Sequence, residues 1–415
     1  MLQKNSIFFA LKGNNFNGNS FAEQALKAGC SYVVIDEEQY KKGEQYILVD
    51  DVLASLQKLA HYHRQQINIP VIAITGTNGK TTTKELVAAV LKKKYNILAT
   101  TGNLNNHIGV PLTLLSITKQ HQLAIIEMGA NHIEEINALC LIAAPNYGLI
   151  TNIGKAHLEG FGSAEGVIKA KYELYNYIKQ NKGTLFVNAD NSLLIKLSEG
   201  INKILYGTSS QNDCIAEFIA AKPFTQLKWK IISDNQLLTT KPILNTHLVG
   251  KYNFENIVSA ACIGSYFKVD YEQIGEAIQS YKPSNNRSQI IKKGSNTILL
   301  DAYNANPTSM AAALESFSEM NVLNKILILG DMLELGENSK VEHELIMTQI
   351  KDNTFLKIIL IGTWFSAIEN KVNATTFQNT EAAMYELKNN VIQNTTILIK
   401  GSRGLKLEQL ITAIQ

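Results

Sequence analysis

The chain has 415 residues, 45% hydrophobic and 18% charged, a balance that suits buried cores and a length that suits about three domains. Its 39 lysines and arginines against 36 acidic residues leave a net charge of +3, which provides no basic face for a nucleic-acid backbone. Its longest apolar runs, within 324–330 and 356–362, fall far short of the ~20 residues of a membrane helix, and the opening MLQKNSIFFALKG is too briefly apolar for a signal peptide, so a cytoplasmic location without membrane insertion is expected.

From Ser6 to about Ile69, the apolar stretches IFFAL, YVVID and YILVD alternate with helical patterns over Ser20 to Gly29 and Val52 to Gln66, which predicts a small α/β unit closed by Pro70. From Val71 the β-branched runs VIAITG, LAIIEMG, YGLITN and TLFVNAD each end in glycine or polar residues and lead into helical stretches, the signature of a mainly parallel sheet covered by helices. Between Cys214 and Gly250 the pattern turns period-two, which predicts antiparallel strands at that sheet's edge, and helices follow over Asn253 to Phe267 and Tyr271 to Tyr281. Pro283 and SNNRS form a second linker, after which TILLD, KILILG, KIILIG and TILIKG restart the alternation. The expected domains are therefore residues 1–69, 70–282 and 283–415. The four cysteines, Cys30, Cys140, Cys214 and Cys262, lack zinc or disulfide spacing and are expected to pack as reduced, small hydrophobes.

The sharpest local signal is VIAITGTNGKTTTKE, where a strand runs through Gly76, Thr77, Asn78, Gly79, Lys80, Thr81 and Thr82 into a helix. Glycines allow backbone N–H groups to surround phosphate oxygens, the helix N-terminus adds its dipole, Lys80 adds a charge, and the Thr81 hydroxyl suits Mg²⁺. The pattern departs from most P-loops because Ile74 stands where the first glycine would be. Glu127 ends the next strand, where a carboxylate faces the ligand crevice of such a sheet and suits a hard cation, although alone it reads equally well as a cap. His157, past another strand end, reads alone as structural, and Lys169 and Lys171 read by default as solvated charges.

Together with FFALKGNNFNGNSFAEQALKAG, GNLNNHIGVPLTLL, IEMGANHIEEI, TNIGKAHLEGFGSAEGVIKAKYEL, THLVGKYNFENIVSAA, LLDAYNANPTSM, ILGDMLELG and LIKGSRGL, this loop resembles the Mur ligase family, ATP-dependent amide-forming enzymes of cell-wall synthesis. Within the family the set resembles the branch that joins D-alanyl-D-alanine to UDP-N-acetylmuramoyl-tripeptide. The resemblance implies a three-domain architecture: a P-loop parallel-sheet ATPase flanked by a small N-terminal α/β domain that binds the UDP-sugar and a C-terminal Rossmann-like domain. It also implies that residues 76–82 cradle ATP, that Thr81 and Glu127 hold one Mg²⁺, and that His157 and Lys171, the latter as a carbamate, hold a second. Asn253 and Asn256 resemble residues on the adenine side, Arg287 resembles an arginine reaching the phosphates, and Asp301, Tyr303, Asn304 and Asn306 resemble the third domain's ATP-facing motif. Lys80, His157, Lys171 and Arg287 are thereby the expected catalytic group, ATP and Mg²⁺ the cofactors, and a monomer the default state.

In the family a further strand usually precedes the region of IFFALKG, so the first domain is expected to be short, with Phe8, Lys12 and Gly13 as candidate nucleotide-sugar contacts. Asn17-Gly18-Asn19 carries asparagine where the family often has acidic and histidine residues. Two rival readings remain: folylpolyglutamate synthase, which shares GTNGKT but not the AYNANP, GDMLELG and KGSRG set, and a P-loop ATPase that joins no substrate.

Overall fold

The computed structural model describes residues 4–233, 236–238, 243–351, 353–368 and 373–415. Strand β1 (Ile7–Phe9), the hairpin β2 (Lys12–Gly13) and β3 (Phe16–Asn17), helix α1 (Ala22–Lys27), β4 (Tyr32–Ile35) and β5 (Tyr46–Leu48) make the first unit. Its sheet is parallel in the order β1-β4-β5, and Ala10, Ala22, Ala25, Val33 and Ile35 fill its small core.

Helix α2 (Val52–Gln66) starts on Asp51, whose carboxylate accepts the Ala54 N–H at 2.7 Å, and it buries Val52, Leu56, Ala60 and Arg64, one residue per turn. Although α2 falls within 1–69, that stripe lies on the central unit. Ala60 joins the central core, and the Arg64 guanidinium donates to the carbonyls of Ala143, Ile67 and Ala144 and to Asn146 Oδ1 at 2.7–3.1 Å.

The central unit runs through β6 (Val71–Thr75), α3 (Lys80–Leu91), β7 (Ile97–Ala99), α4 (Gly109–Leu115), β8 (Leu123–Glu127), α5 (Glu135–Ala143), β9 (Tyr147–Ile150), α6 (Leu158–Phe161), α7 (Ala164–Gln180), β10 (Thr184–Asn188), α8 (Ser192–Leu197) and β11 (Lys203–Gly207). It continues with β12 (Cys214–Ala221), β13 (Phe224–Ser233), β14 (Gln236–Leu238), β15 (Leu244–Val249), α9 (Asn253–Tyr266) and α10 (Tyr271–Ser280). The strand order is β14-β13-β12-β11-β10-β9-β6-β8-β7, parallel from β7 to β12, with β15 also paired to β13. The stretch after Cys214 supplies the antiparallel edge its alternation predicted. Strands β6, β8 and β10 are buried at every position, because helices cover both faces.

The third unit comprises β16 (Gln289–Lys293), β17 (Asn296–Asp301), α11 (Pro307–Ser318), β18 (Lys325–Gly330), α12 (Ser339–Lys351), β19 (Lys357–Ile361), α13 (Thr363–Ala367), β20 (Thr375–Phe377), α14 (Thr380–Asn389) and β21 (Thr396–Lys400). Its order is β16-β17-β21-β18-β19-β20, parallel except for β16. This is the three-part α/β architecture the sequence predicted. All four cysteines are buried and free of disulfides, and no helix among the described residues is long and apolar enough to cross a membrane.

Because Arg64 satisfies carbonyls at the α5 C-terminus and the Ile67 carbonyl at once, Arg64→Ala should destabilise the protein by about 3 kcal/mol, since buried acceptors are left without donors. A thermal melt checks this; an unchanged midpoint would show that the contact carries no net stability.

Candidate active site

In the central sheet β6 lies between β8 and β9, and the connections leaving the neighbours β6 (to β7) and β9 (to β10) run to opposite sides, which opens a crevice at their carboxyl ends. The phosphate loop begins there. Gly76 has φ 143°, and a Cβ on it would collide with the Thr151 hydroxyl; Gly79 has φ 80°, and a Cβ there would lie 2.5 Å from Asn256 Oδ1. Both positions thus require glycine. The segment after β9 holds the loop: Thr77 N–H donates to the Asn152 carbonyl at 2.9 Å, Asn78 N–H to Asn152 Oδ1 at 3.0 Å, and the Thr151 hydroxyl to the Asn78 carbonyl at 2.6 Å. Lys80, at the start of α3, donates to the Gly76 and Thr77 carbonyls at 2.6 and 3.1 Å. Burial lowers its pKa to about 8, countered by the charge of Glu127 and assisted by that of Arg287. Thr82 is half-buried in the first turn of α3.

Glu127 ends β8 with 1% exposure. Its Oε1 accepts from Asn105 Nδ2 at 2.8 Å and from the Thr81 hydroxyl at 3.2 Å, whereas its Oε2 is buried without a hydrogen-bond donor. A carboxylate oxygen desolvated in this way fits a divalent cation, with the Thr81 hydroxyl as the second hard ligand. Among the described residues no three His, Cys, Asp or Glu side chains are grouped so that they could hold a metal ion. A cation that keeps its own waters and takes phosphate oxygens suits so sparse a set.

Lys171, on α7, is 2% exposed, with Nζ 5.3 Å from the centroid of the Phe161 ring. Burial, then the charge of Lys80, lowers its pKa to about 7. The expectation of a solvated side chain holds for Lys169, which is exposed, and fails for Lys171, because α7 turns that face onto the core. His157 packs edge-on against the other side of this neighbourhood, its ring 6.3 Å from that of Phe161, and pairs through Nδ1 with Glu334 Oε2 at 2.6 Å. A proton held at Nδ1 by the carboxylate leaves the Nε2 lone pair available as a ligand.

The third unit closes on this crevice. Asn306 caps α11, accepting from Ser309 N–H at 2.9 Å, and its amide donates to Asn78 Oδ1 at 2.8 Å. Lys155 N–H donates to the Thr308 hydroxyl at 3.1 Å, and its ammonium meets Glu342 at 2.7 Å. The Arg287 guanidinium lies 3.4 Å from the centre of the Tyr303 ring, and its Nε is buried without an acceptor. Asp301 pairs with the buried Lys400 at 2.6 Å, and Lys400 also reaches the carbonyl of Asn304, whose side chain is exposed.

Asn253 and Asn256 are buried beneath the phosphate loop. Asn253 Nδ2 donates to the Val249 carbonyl, Asn256 Nδ2 donates to Asn253 Oδ1, and Thr83 donates to Asn256 Oδ1. The first-domain candidates form a separate group: Lys12 bridges Asp36 and Glu37 at 2.8 and 2.9 Å, Asn17 and Asn19 join the same carboxylates, Phe8 packs on the local core, and Gly13 is exposed. Sequence reasoning missed Lys84, Glu85, Asn105, Lys155, Glu334 and Lys400. All six stood within the quoted motifs; a lysine inside an apolar helical or strand pattern signals a buried charge at Lys84 and Lys400, whereas Lys155 is exposed in a loop and Glu334 offered no comparable signal.

Residues 74–264 match the Mur ligase middle domain and residues 286–403 the Mur ligase glutamate ligase domain. The chain is 35% identical to the UDP-N-acetylmuramoyl-tripeptide–D-alanyl-D-alanine ligase of Bacillus subtilis, over 99% of this chain and 90% of that protein. Among solved structures it resembles MurF of Acinetobacter baumannii (29% identity, TM-score 0.87, covering 99% of this chain and 90% of that one). It also resembles the MurF ligase of Thermotoga maritima in complex with ADP (25% identity, TM-score 0.85, 99% and 94%). A phosphate loop, a buried carboxylate and a third domain closing over both, matched to these relatives along nearly the whole chain, show that it belongs to the Mur ligase family.

Proposed function

We propose that this chain ligates D-alanyl-D-alanine to UDP-N-acetylmuramoyl-tripeptide at the expense of ATP, giving the pentapeptide precursor of peptidoglycan, as a cytoplasmic monomer. The observation that carries the reading is the hydrogen bond between Asn78 in the phosphate loop and Asn306 of the third domain, which supports a nucleotide site shared between the two units. A first domain of residues 1–69, a central domain of 70–282 and a ligase domain of 283–415 would divide the labour of nucleotide-sugar, ATP and amine binding.

Joining a carboxylate to an amine requires a better leaving group than oxide. The tripeptide carboxylate attacks the γ-phosphorus of ATP, ADP departs, and the acyl phosphate formed is attacked by the dipeptide amine, which loses a proton as phosphate leaves. Residues 76–82 would hold the phosphates, with Lys80 and Arg287 offsetting charge on the transferring group. Asn253 and Asn256 support the loop from below, and Asp301, Tyr303 and Asn304 would line the third-domain side of the nucleotide. Mg²⁺ held by Thr81 and Glu127, and a second held by His157 and a Lys171 carbamate, would supply charge neutralisation and orient the reacting oxygens. Burial lowers the Lys171 pKa to about 7, so a substantial fraction is the neutral amine that reacts with carbon dioxide, which supports the carbamate. Contact between the third domain and the loop would keep water from the acyl phosphate.

Phosphate release should appear only when both UDP-muramyl tripeptide and D-alanyl-D-alanine are present, and Lys80→Ala should slow it on the order of a hundredfold or more. If D-alanyl-D-alanine never stimulated release, the assignment would fall, and turnover without any amino substrate would favour a non-ligating ATPase; stimulation by glutamate with a folate acceptor would favour the folylpolyglutamate reading. Protein equilibrated with isotopically labelled bicarbonate should show a carbamate carbon resonance that Lys171→Ala removes. Its absence from the unaltered protein would leave the second cation without its proposed ligand.

A further inference from the structure

The linker between the central and third units is gripped by the helix that carries Lys80. Glu85, one turn beyond Thr81 on α3, accepts at Oε2 from the Tyr281 hydroxyl at 2.5 Å and at Oε1 from Asn285 Nδ2 at 3.1 Å. Past that point the backbone enters the left-handed region at Asn285 (φ 67°), Asn286 (φ 55°) and Ser288 (φ 48°). Such conformations are uncommon without glycine and persist where surrounding contacts over-determine them. The far end of the segment is held as firmly: Ser288 N–H donates to Asp301 Oδ1 at 3.2 Å, its hydroxyl meets that of Tyr252 at 2.7 Å, and Tyr303 N–H donates to the Asn286 carbonyl at 3.2 Å. Between these anchors stands Arg287, stacked on Tyr303 with its Nε buried and unpartnered.

We infer that Glu85 is a positioning residue for Arg287: by holding Tyr281 and Asn285 it sets the strained turn that presents the guanidinium to the phosphate loop, and so ties the nucleotide-binding helix to the hinge of the third domain. Arg287 is near enough for its charge to act on both Lys80 and Tyr281, which fits this placement. A carboxylate suits the task, because its two oxygens accept one linker donor each, and neighbouring Lys84, 3.9 Å from Oε1, offsets part of its charge. The inference rests on the ligase reading for its kinetic arm only.

Two measurements on the full-length protein test it. Hydrogen exchange should rise across 281–288 in Glu85→Ala while α3 keeps its protection, a readout independent of which reaction the protein catalyses; unchanged exchange in the linker would overturn the inference. In the stimulated phosphate-release assay, Glu85→Ala should lower kcat about tenfold with a smaller change in KM for ATP, Glu85→Gln, which keeps one acceptor oxygen, should recover part of the loss, and Tyr281→Phe should be slower than the unaltered protein but faster than Glu85→Ala. The double variant with Arg287→Ala should be no slower than Arg287→Ala alone, because the two act as one unit. Multiplicative losses, or full kcat in Glu85→Ala, would count against it. An unaltered enzyme without stimulated release would sink the ligase reading and leave the exchange result to decide the inference.

Discussion

The crevice at the end of β6 concentrates desolvated positive charge, and most of the surrounding structure answers to that constraint. Lys80, Lys84 and Lys171 converge there with a single buried carboxylate, Glu127, among them. Burying an ammonium costs several kcal/mol unless it is paired or neutralised. The protein uses three answers. Lys80 and Lys84 point at backbone carbonyls, those of Gly76, Thr77 and Thr100; Glu127 supplies one opposing charge; and burial lowers the pKa of Lys171 to about 7. A site so biased is stabilised by polyanions, and the triphosphate of the proposed substrate is one.

The topology makes that concentration possible without loss of the core. Parallel strands bring every carboxyl end to the same edge, so the loop after β6, Glu127 after β8 and the Thr151–His157 segment after β9 meet without long excursions of chain. The third unit repeats the device: the ends of β17, β18 and β21 supply Asp301, the loop to Glu334, and Lys400. Two such edges face each other, and the polar contacts between them, Asn78 with Asn306 and His157 with Glu334, are the ends of strands from different sheets.

Much of this was legible in the chain. Runs such as VIAIT and KILIL are unbroken because both faces of their strands are covered, and the glycines of the loop are required by Gly76 and Gly79, whose φ values no side chain adopts easily. What was not legible depends on partners distant in sequence. The burial of Lys171 follows from the rotation of α7 against β9 and β10, and the packing of α2 onto the central unit rather than the first follows from Arg64 finding carbonyls some 80 residues away. Amphipathic spacing marks a buried face but does not say which domain buries it. Asn256 is a similar case: the motif marks it as part of a nucleotide site, while its contacts put it under Gly79 and Thr83.

A reaction through an acyl phosphate needs a site that is shut during phosphoryl transfer and open to a second substrate afterwards. Contacts across the seam are accordingly made of amides, one histidine and ion pairs with an exposed partner, such as exposed Lys155 with buried Glu342, which can be broken. Continuous apolar packing across the whole seam would hold it shut; a wholly polar seam would not exclude water. The core does pass between the units, with Leu158 and Phe161 of the central unit and Leu335 of the third in one apolar cluster, and α6 lies against the 336–338 turn, so the seam combines apolar and polar closure beside His157. The hinge strain at Asn285, Asn286 and Ser288 works in the same direction, since a turn that must be held by Glu85 on one side and Asp301 on the other relaxes when either grip is lost. On the proposed mechanism, opening and closing would draw on one balance: strain in the linker would favour release, and a crevice filled by the triphosphate would favour the docked arrangement.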